Sequence, residues 1–228
     1  MSLNSMWIPK VIKFWLLLIG GVSMSACAGL FDFGGESWEE EVLMHDGTTI
    51  IVTRYQKYES RHELGQEPSA SEEKMTFTMP GENKKITWET NYSESAGKAE
   101  LLLLGLYIVQ NEAYVVALPQ SCLVYANWGR PNPPYALLKY TDFNWEEISI
   151  TELPKEIQVP NVVLATMEKS KIRKVKKSGL ISSRSIVELN KGSKASYIEK
   201  FSHVPIDLQD LCPKRTKLRW HYEKDKQE

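Results

Sequence analysis

The stretch of sequence that decides the fold is WEEEVLMHDGTTIIVTRYQKY, residues 38–58. Its centre, His45-Asp46-Gly47, is a turn signal, because an Asp-Gly pair favours the positive φ angles of a tight hairpin. The residues after the turn are rich in β-branched side chains, which strands prefer. The stretch therefore predicts two strands, 38–44 and 48–58, paired as a hairpin.

The same combination of strand and turn residues recurs along the chain. The predicted pairs are residues 74–79 with 84–91, 101–110 with 113–118, and 135–140 with 145–150. Two further segments, 161–166 and 218–222, have the composition of single strands, and the polar segment 59–73 predicts an exposed loop. Because short strand pairs separated by turns are typical of all-β domains, the sequence predicts a mainly β fold. Its antiparallel hairpins are expected to form one sandwich-like or barrel-like domain.

One short helix is predicted near the C-terminal end, at residues 182–190. A serine at its start can cap it, and Ile186, Val187 and Leu189 give it an apolar face. Gly192 follows, and glycine commonly ends a helix.

The N-terminal residues have the three parts of a secretory signal peptide. Lys10 and Lys13 provide positive charge, the apolar run 14–22 follows, and small residues come next. The run is about half of the roughly 20 residues that a membrane-spanning helix needs. Met24-Ser25-Ala26-Cys27 resembles the lipobox of bacterial lipoproteins, which implies cleavage before Cys27 and attachment of lipid to it. An ordinary cleavage site with an incidental cysteine and an uncleaved membrane anchor are the alternatives.

This interpretation divides the chain into a signal peptide at residues 1–26, a lipidated tether at 27–37, and a single β-rich periplasmic domain at 38–228. Ala28 follows the lipidated cysteine, whereas enterobacterial-type lipoproteins that stay in the inner membrane favour Asp there. We therefore expect a protein of the bacterial cell envelope, anchored by its lipid to the outer membrane and facing the periplasm.

The chain has three cysteines. If lipid modifies Cys27, then Cys122 and Cys212 remain, and an oxidising compartment such as the periplasm favours a disulfide between them. The disulfide would close a loop of about 90 residues and stabilise the domain by up to about 4 kcal/mol. Two unpaired thiols are the alternative.

Charge is distributed unevenly along the chain. Residues 27–120 hold 16 acidic and 7 basic side chains, whereas residues 121–228 hold 13 acidic and 19 basic ones. The halves could attract each other within one fold, or the basic half could face anionic lipid or cell-wall polymer. Six of the bases lie within residues 169–177, which we interpret as a solvated connector, with contact to an anionic partner as the alternative.

The sequence contains no familiar catalytic or metal-binding motif. His-Glu-x-x-His, Cys-x-x-Cys, a Gly-x-Ser-x-Gly elbow, a phosphate-binding loop and a dinucleotide fingerprint are all missing from it. The sequence thus implies no metal and no small-molecule cofactor, and export argues against a nucleic-acid partner. In the acidic run Glu39-Glu40-Glu41, Glu40 takes the strand face opposite to its neighbours. We interpret this run as a solvated strand edge.

Two motifs are candidates for an interaction surface. The first, residues 128–135, is WGRPNPPY, in which Trp128, Arg130, Pro131 and Tyr135 combine aromatic, charged and rigid groups. It could be a recognition loop, or a buried crossing loop whose aromatic side chains pack on the core beside Cys122.

The second motif is Arg61-His62-Glu63 in the predicted polar loop. A cleft that brought these three side chains together with nearby acids would suit an enzyme, whereas open surface would not.

The motifs together resemble a family of uncharacterised proteobacterial lipoproteins. The resemblance rests on WEEEV at 38–42, the HDG turn, RHELGQ at 61–66, ITW at 86–88 with YSE at 92–94, and residues 128–135. It extends over most of residues 38–190, and more loosely over the end around Cys212, and it implies the compartment and the architecture. No catalytic residue is implied by it.

From these observations we expect a non-enzymatic, lipid-anchored protein that binds another envelope protein or neutralises a toxin as an immunity-like protein. An envelope hydrolase with an unrecognised site is one alternative. A structural component that binds cell wall or anionic lipid is the other.

Overall fold

A computed structural model describes residues 35–58, 70–94, 98–164, 179–191, 198–207 and 212. The contacts divide the chain into two compact units, residues 1–35 and residues 36–228. The fold described here is that of the second unit.

The described residues form eleven strands and two helices. The strands are β1 (Gly35–Leu43), β2 (Thr49–Tyr58), β3 (Ala70–Thr78), β4 (Lys85–Thr90), β5 (Tyr92–Ser93), β6 (Lys98–Ala99), β7 (Leu101–Val109), β8 (Glu112–Pro119), β9 (Ala136–Thr141), β10 (Asn144–Glu147) and β11 (Leu180–Ile181). The helices are α1 (Cys122–Asn127) and α2 (Ser183–Asn190). The prediction of a mainly β domain built from antiparallel hairpins is confirmed.

The larger sheet has the strand order β11-β1-β2-β3-β4. Strands β2, β3 and β4 pair antiparallel in sequence order, and β11 adds to the far side of β1 in parallel. The predicted turn at residues 45–47 joins β1 to β2, and Gly47 has φ +85° there. Strand β4 lies at one edge of this sheet.

The second sheet has the order β10-β9-β8-β7, all antiparallel. Its hairpins turn at Gln110-Asn111 and at Asp142-Phe143, and all four of these residues have positive φ. Strands β7 and β8 are largely buried on both faces, which explains the unbroken apolar run in β7.

The main core lies between the two sheets, which pack face to face as a sandwich. Inward side chains of the larger sheet, such as Phe77 and Trp88, meet Leu103, Val115 and Leu138 of the smaller one. A second cluster covers the outer face of the smaller sheet and is formed largely with loop residues. Because apolar burial is the main stabilising effect in folding, these two layers account for much of the stability of the domain.

Helix α2 matches the predicted helix. Ser182 caps it by accepting a hydrogen bond from the backbone N–H of Ser185, and Ile186 is buried. At its end, the Asn190 carboxamide accepts from the N–H of Leu164 and donates to the carbonyl of Val162. These two bonds hold residues 161–164 against the end of the helix.

Some predicted elements are wrong. Residues 70–73 were expected in the exposed loop, but they belong to β3 and pair with β2 and β4. Residues 161–164 form no strand, because the Asn161 side chain bonds to backbone groups in place of a strand ladder. Helix α1 was not predicted, and β1 begins at Gly35, within the predicted tether. The predicted strand 218–222 lies outside the described residues.

Candidate functional site

A groove of about 550 Å³ lies where the edges of the two sheets meet. One wall is the edge strand β4, and the other is formed by β9, β10 and the turn between them. Trp128, which follows helix α1, and Glu100 close one end. The volume falls within the range of ligand sites, which combine apolar surface with a few polar groups.

Two tryptophans of the groove are held in place through their indole N–H groups. Trp128 Nε1 donates to Glu100 Oε1 at 2.7 Å, and Trp145 Nε1 donates to the carbonyl of Thr87 at 2.8 Å. Both rings are half-buried. Since the polar end of each indole is already bonded, what the rings offer a ligand is their aromatic surface.

The bond between Trp145 and Thr87 also protects the sheet edge. Hydrogen-bonded and non-bonded pairs alternate along an antiparallel ladder. Met79 and Lys84 form a hydrogen-bonded pair, because the Met79 N–H donates to the Lys84 carbonyl. Every second residue from Lys85 onward is then a non-bonded position, so the backbone groups of Lys85, Thr87 and Glu89 face away from β3. Trp145 therefore covers one carbonyl of an edge that is otherwise open to the groove.

The β9–β10 turn carries the most exposed aromatic side chain of the groove. Phe143 is 78% exposed, and its φ is +72°. A left-handed conformation costs a non-glycine residue about 1–2 kcal/mol, and a type I′ turn prefers Asn-Gly or Asp-Gly at its centre. Folding alone would favour glycine at this position, so the phenylalanine indicates another role.

A lysine already occupies the aromatic faces at this end of the groove. Lys84 Nζ lies 4.5 Å from the ring centroid of Phe143 and 4.8 Å from that of Tyr140, which are cation–π distances. Tyr140 in turn meets Trp145 edge to face, with centroids 5.2 Å apart. The half-buried rings of Trp128 and Trp145 provide the other aromatic surface of the groove.

The charged lining residues are Lys85, Glu89 and Glu100, and with Lys84 at the aromatic end the groove has no excess of positive charge. Glu89 pairs with Lys74 across β3 and β4 at 3.0 Å, and this hydrogen bond raises the pKa of Lys74 above its usual value. The remaining polar lining consists of amide and hydroxyl groups, including those of Asn91, Thr87 and Asn144. The site is suited to hydrogen bonding with a neutral partner more than to holding an anion.

The structure divides the predicted surface 128–135. Trp128 lines the groove, but Arg130, Pro131 and Tyr135 contact other parts of the same chain. The Tyr125 hydroxyl donates to the Pro131 carbonyl, and the half-buried Arg130 lies over the Tyr125 ring. Tyr135 is buried against Phe201, with ring centroids 5.5 Å apart.

Most of the segment 128–135 contacts its own chain because it holds the C-terminal segment in place. Cys122 and Cys212 form the predicted disulfide, with Cα atoms 5.4 Å apart. Arg130 Nη1 donates to the Cys212 carbonyl at 2.9 Å, and the Asn132 carboxamide makes two hydrogen bonds with the backbone of Ile206. This part of the motif therefore makes contacts within the chain, as the interpretation of a crossing loop beside Cys122 predicts.

A fully buried ion cluster crosses β1, β2 and β3. Arg54 pairs with Glu40 at 3.3 Å and with Glu73, and all three side chains are inaccessible to solvent. Glu40 also accepts from Trp38 Nε1 at 2.7 Å and from the Val163 N–H. Burial lowers the pKa of Arg54, although the Glu40 carboxylate opposes this shift.

The interpretation of Glu39-Glu40-Glu41 as a solvated edge is therefore wrong for Glu40. Its side chain lies on the strand face opposite to Glu39 and Glu41, as the alternation predicts, and it is buried there with Arg54 as its counter-charge. Glu41, on the other face, accepts hydrogen bonds from the N–H and hydroxyl of Ser183 at the start of α2. The cluster connects strands β1, β2 and β3 through their buried side chains.

Other predicted residues lie outside the described part of the chain. These are Cys27 with the signal segment, Arg61, His62 and Glu63, and the basic stretch 169–177. Within the described ranges, no group of three His, Cys, Asp or Glu side chains is arranged to bind a metal. In the same ranges, no helix has the length and apolar character needed to cross a membrane.

Sequence reasoning found Trp128 but missed Tyr140, Phe143, Trp145 and Glu100. One signal was present, since an aromatic residue inside the predicted turn Asp142-Phe143-Asn144 is unusual for a position that favours glycine. No protein-family model, no curated protein and no solved structure matches the chain.

Proposed function

We propose that this chain is a lipid-anchored protein of the bacterial cell envelope that binds another envelope component through the groove and catalyses no reaction. The observation that carries the proposal is the pair of pinned rings, Trp128 and Trp145, beside the exposed Phe143. Aromatic side chains held rigidly at a polar rim lose little conformational freedom on binding, which favours recognition.

The compartment is inferred from two independent features. The N-terminal 26 residues have the pattern of a lipoprotein signal that ends at Cys27. The Cys122–Cys212 disulfide is of the kind that persists in oxidising compartments such as the periplasm. A lipid anchor would hold the domain at a membrane surface, where a modest affinity is sufficient for stable association.

The anchor is tested by labelling cells with radioactive palmitate. We expect the wild-type chain to incorporate label and to fractionate with membranes, and Cys27→Ser to lose the label. Cys122→Ser is the matched control and should keep it. A wild-type chain without label would refute lipidation at Cys27.

The groove is tested by photo-crosslinking in living cells. A photoreactive amino acid replaces Phe143 in one strain and Val204 in another; Val204 is 64% exposed and does not line the groove. We expect an adduct at position 143 that disappears when Trp145→Ala is added, and none at 204. Equal adducts at both positions, or none at 143, would refute binding through the groove.

A further inference from the structure

We propose that the groove binds an uncharged saccharide chain. This inference rests on the proposed binding function and names the chemical class of its ligand. Four features of the groove carry it: the stacking surfaces, the turn that presents Phe143, the polar lining and the balance of the charges.

Stacking surfaces are provided by Trp128 and Trp145. A sugar ring has one face made mainly of C–H groups, and that face packs on an aromatic ring, while the hydroxyl groups around it stay available for hydrogen bonds. The indole N–H groups are already bonded to Glu100 and to the Thr87 carbonyl. Both rings are therefore oriented before a ligand arrives, which lowers the entropy lost on binding.

Phe143 extends this surface at the tip of the β9–β10 turn. Its side chain is exposed, and its backbone takes a conformation that glycine would adopt without strain. The Phe143 ring contacts Lys84 within the fold, and its exposed surface remains available for contact with a ligand. Backbone strain of this kind is common where chains bind other molecules.

The polar lining offers both donors and acceptors. Asn91 and Asn144 present amides, Glu100 presents a carboxylate, and the outward-facing backbone of Lys85 and Glu89 adds N–H and carbonyl groups. Each sugar hydroxyl both donates and accepts, so a mixed set of this kind matches it. A groove lined by donors alone would instead indicate phosphate or carboxylate groups.

The charged side chains of the groove favour a neutral saccharide over an anionic ligand. Glu89 and Glu100 line the groove together with Lys85. Lys84 lies over the Phe143 ring at the aromatic end, so acids and bases balance and the groove has no excess of positive charge. A phosphate or sulfate held between these carboxylates would meet repulsion on a partly desolvated surface, where charges are screened less than in bulk water. The phosphate groups of lipids are therefore poor candidates for this site.

A peptide strand added to β4 is the other class of ligand that the position suggests. The Trp145 indole already occupies the Thr87 carbonyl, so an added strand would have to break that bond. Charged residues on a sheet edge, here Lys85 and Glu89, are also a common device against strand addition. The edge is protected against a strand, while the aromatic faces remain accessible.

The test is titration of the full-length chain, purified in detergent, with chitotetraose and cellotetraose, followed by calorimetry and tryptophan fluorescence. A sulfated oligosaccharide and an extended peptide of alternating valine and threonine are the competing probes. We expect saturable binding of at least one uncharged tetrasaccharide and none of the competing probes. Binding of neither tetrasaccharide, or tighter binding of a competing probe, would overturn the proposal.

Variants then locate the site. Trp145→Ala should weaken saccharide binding about tenfold or more, as loss of a central aromatic contact commonly does, and Trp145→Phe should weaken it less. Phe143→Gly should also weaken binding while the midpoint of thermal unfolding stays level or rises, because glycine relieves the turn. The control is Tyr92→Ala, which removes a 44%-exposed tyrosine outside the groove and should change nothing.

The two proposals can fail separately. If both tetrasaccharides fail to bind but the adduct at position 143 persists in cells, the saccharide assignment is refuted and binding through the groove stands. If Phe143→Gly binds saccharide as tightly as the wild-type chain, the role assigned to this side chain is refuted.

Discussion

The carboxamide of Asn161 pairs with the backbone of Leu106 as a neighbouring strand would. Asn161 Oδ1 accepts from the Leu106 N–H at 3.0 Å, and Nδ2 donates to the Leu106 carbonyl at 2.6 Å. Leu106 lies on β7, an edge strand of its sheet, so its outward N–H and carbonyl bond to the Asn161 side chain instead of to a neighbouring strand. The same Nδ2 donates to the Leu43 carbonyl at the end of β1, which connects the two sheets.

Replacing Asn161 should therefore destabilise the domain. Asn161→Ala leaves the buried N–H and carbonyl of Leu106 without this partner, and we expect a loss of about 3 kcal/mol in the free energy of unfolding. Asn127→Ala, at an exposed position in α1, is the control and should change it by less than about 0.5 kcal/mol. Urea unfolding measures both, and equal values for the two variants would contradict this account.

Gly105 is next to this contact and has no room for a side chain. A Cβ atom there would lie 2.9 Å from Tyr107 Cε2 and 3.2 Å from Asn161 Oδ1. We expect Gly105→Ala to lower stability by about 1–3 kcal/mol through overpacking. Because Asn161 is one of the clashing neighbours, Gly105→Ala should be less harmful in the Asn161→Ala background. A double-mutant cycle without such coupling would show that the clash with Tyr107 alone matters.

The sequence predicts the hairpins well and the side-chain clusters poorly, for physical reasons. Strand pairs such as β3 and β4 follow from local alternation and from turn residues, which neighbouring positions determine. The partnership of Arg54 with Glu73 depends on register between strands, which one sequence does not reveal. The alternation placed Glu40 on the face opposite to Glu39 and Glu41, but whether a carboxylate there meets solvent or a cation depends on another strand.

Short elements escape prediction for a related reason. Helix α1 has six residues, which are too few to show a helical period in the sequence. Its capping residues are recognised only once the structure is known. Ser121 accepts from the Val124 N–H, and Gly129 with φ +71° ends the helix in a Schellman arrangement. The groove was missed because its walls come from positions as distant as Thr87 and Trp145, which only the sandwich brings together.

The buried cluster should be sensitive to loss of its cation. Arg54→Met leaves the Glu40 and Glu73 carboxylates buried without a counter-ion, and we expect a loss of about 3–5 kcal/mol in the free energy of unfolding. Lys191→Met is the control, since the pair of Lys191 with Glu188 is solvent-exposed and contributes at most about 1 kcal/mol. If both variants unfold at the same urea concentration, the buried cluster contributes no more than a surface pair.

The disulfide should stabilise the domain mainly by restricting the unfolded chain. Cys122 and Cys212 are 90 residues apart, and a loop of this length predicts a contribution of up to about 4 kcal/mol. We expect the Cys122→Ser, Cys212→Ser double variant to unfold at lower urea concentration. Hydrogen exchange at the Ile206 N–H should be faster. The double variant keeps the hydrogen bond from this N–H to Asn132, but it loses the covalent link that holds the C-terminal segment nearby. An unchanged midpoint would contradict the constraint.

Alkaline pH should destabilise the fold through two buried tyrosines. Burial raises the pKa of Tyr107, whose hydroxyl donates to the Val159 carbonyl. Burial and the hydrogen bond to Glu112 raise the pKa of Tyr114 to about 12, above the value of 10.0 for a free tyrosine. Below pH 10 the folded and unfolded chains both keep these protons, so their contribution is complete there. Above pH 10 the unfolded chain releases protons that the folded chain retains, and stability falls as the pH rises through the folded pKa values.

Urea unfolding at pH 8 and at pH 11 measures this loss, and absorbance at 295 nm reports tyrosinate formation. Tyr114→Phe removes one of the two groups, so the difference between the two pH values should shrink. Glu112→Gln should act in the same direction, because it removes the carboxylate charge that helps to raise the Tyr114 pKa. The hydrogen bond from Lys139 lowers the pKa of Glu112, and the hydrogen bond from Tyr114 lowers it further. The pair of Tyr114 and Glu112 therefore favours a neutral phenol beside a charged carboxylate. If wild type and Tyr114→Phe lose equal stability between pH 8 and pH 11, Tyr114 does not titrate as this environment requires.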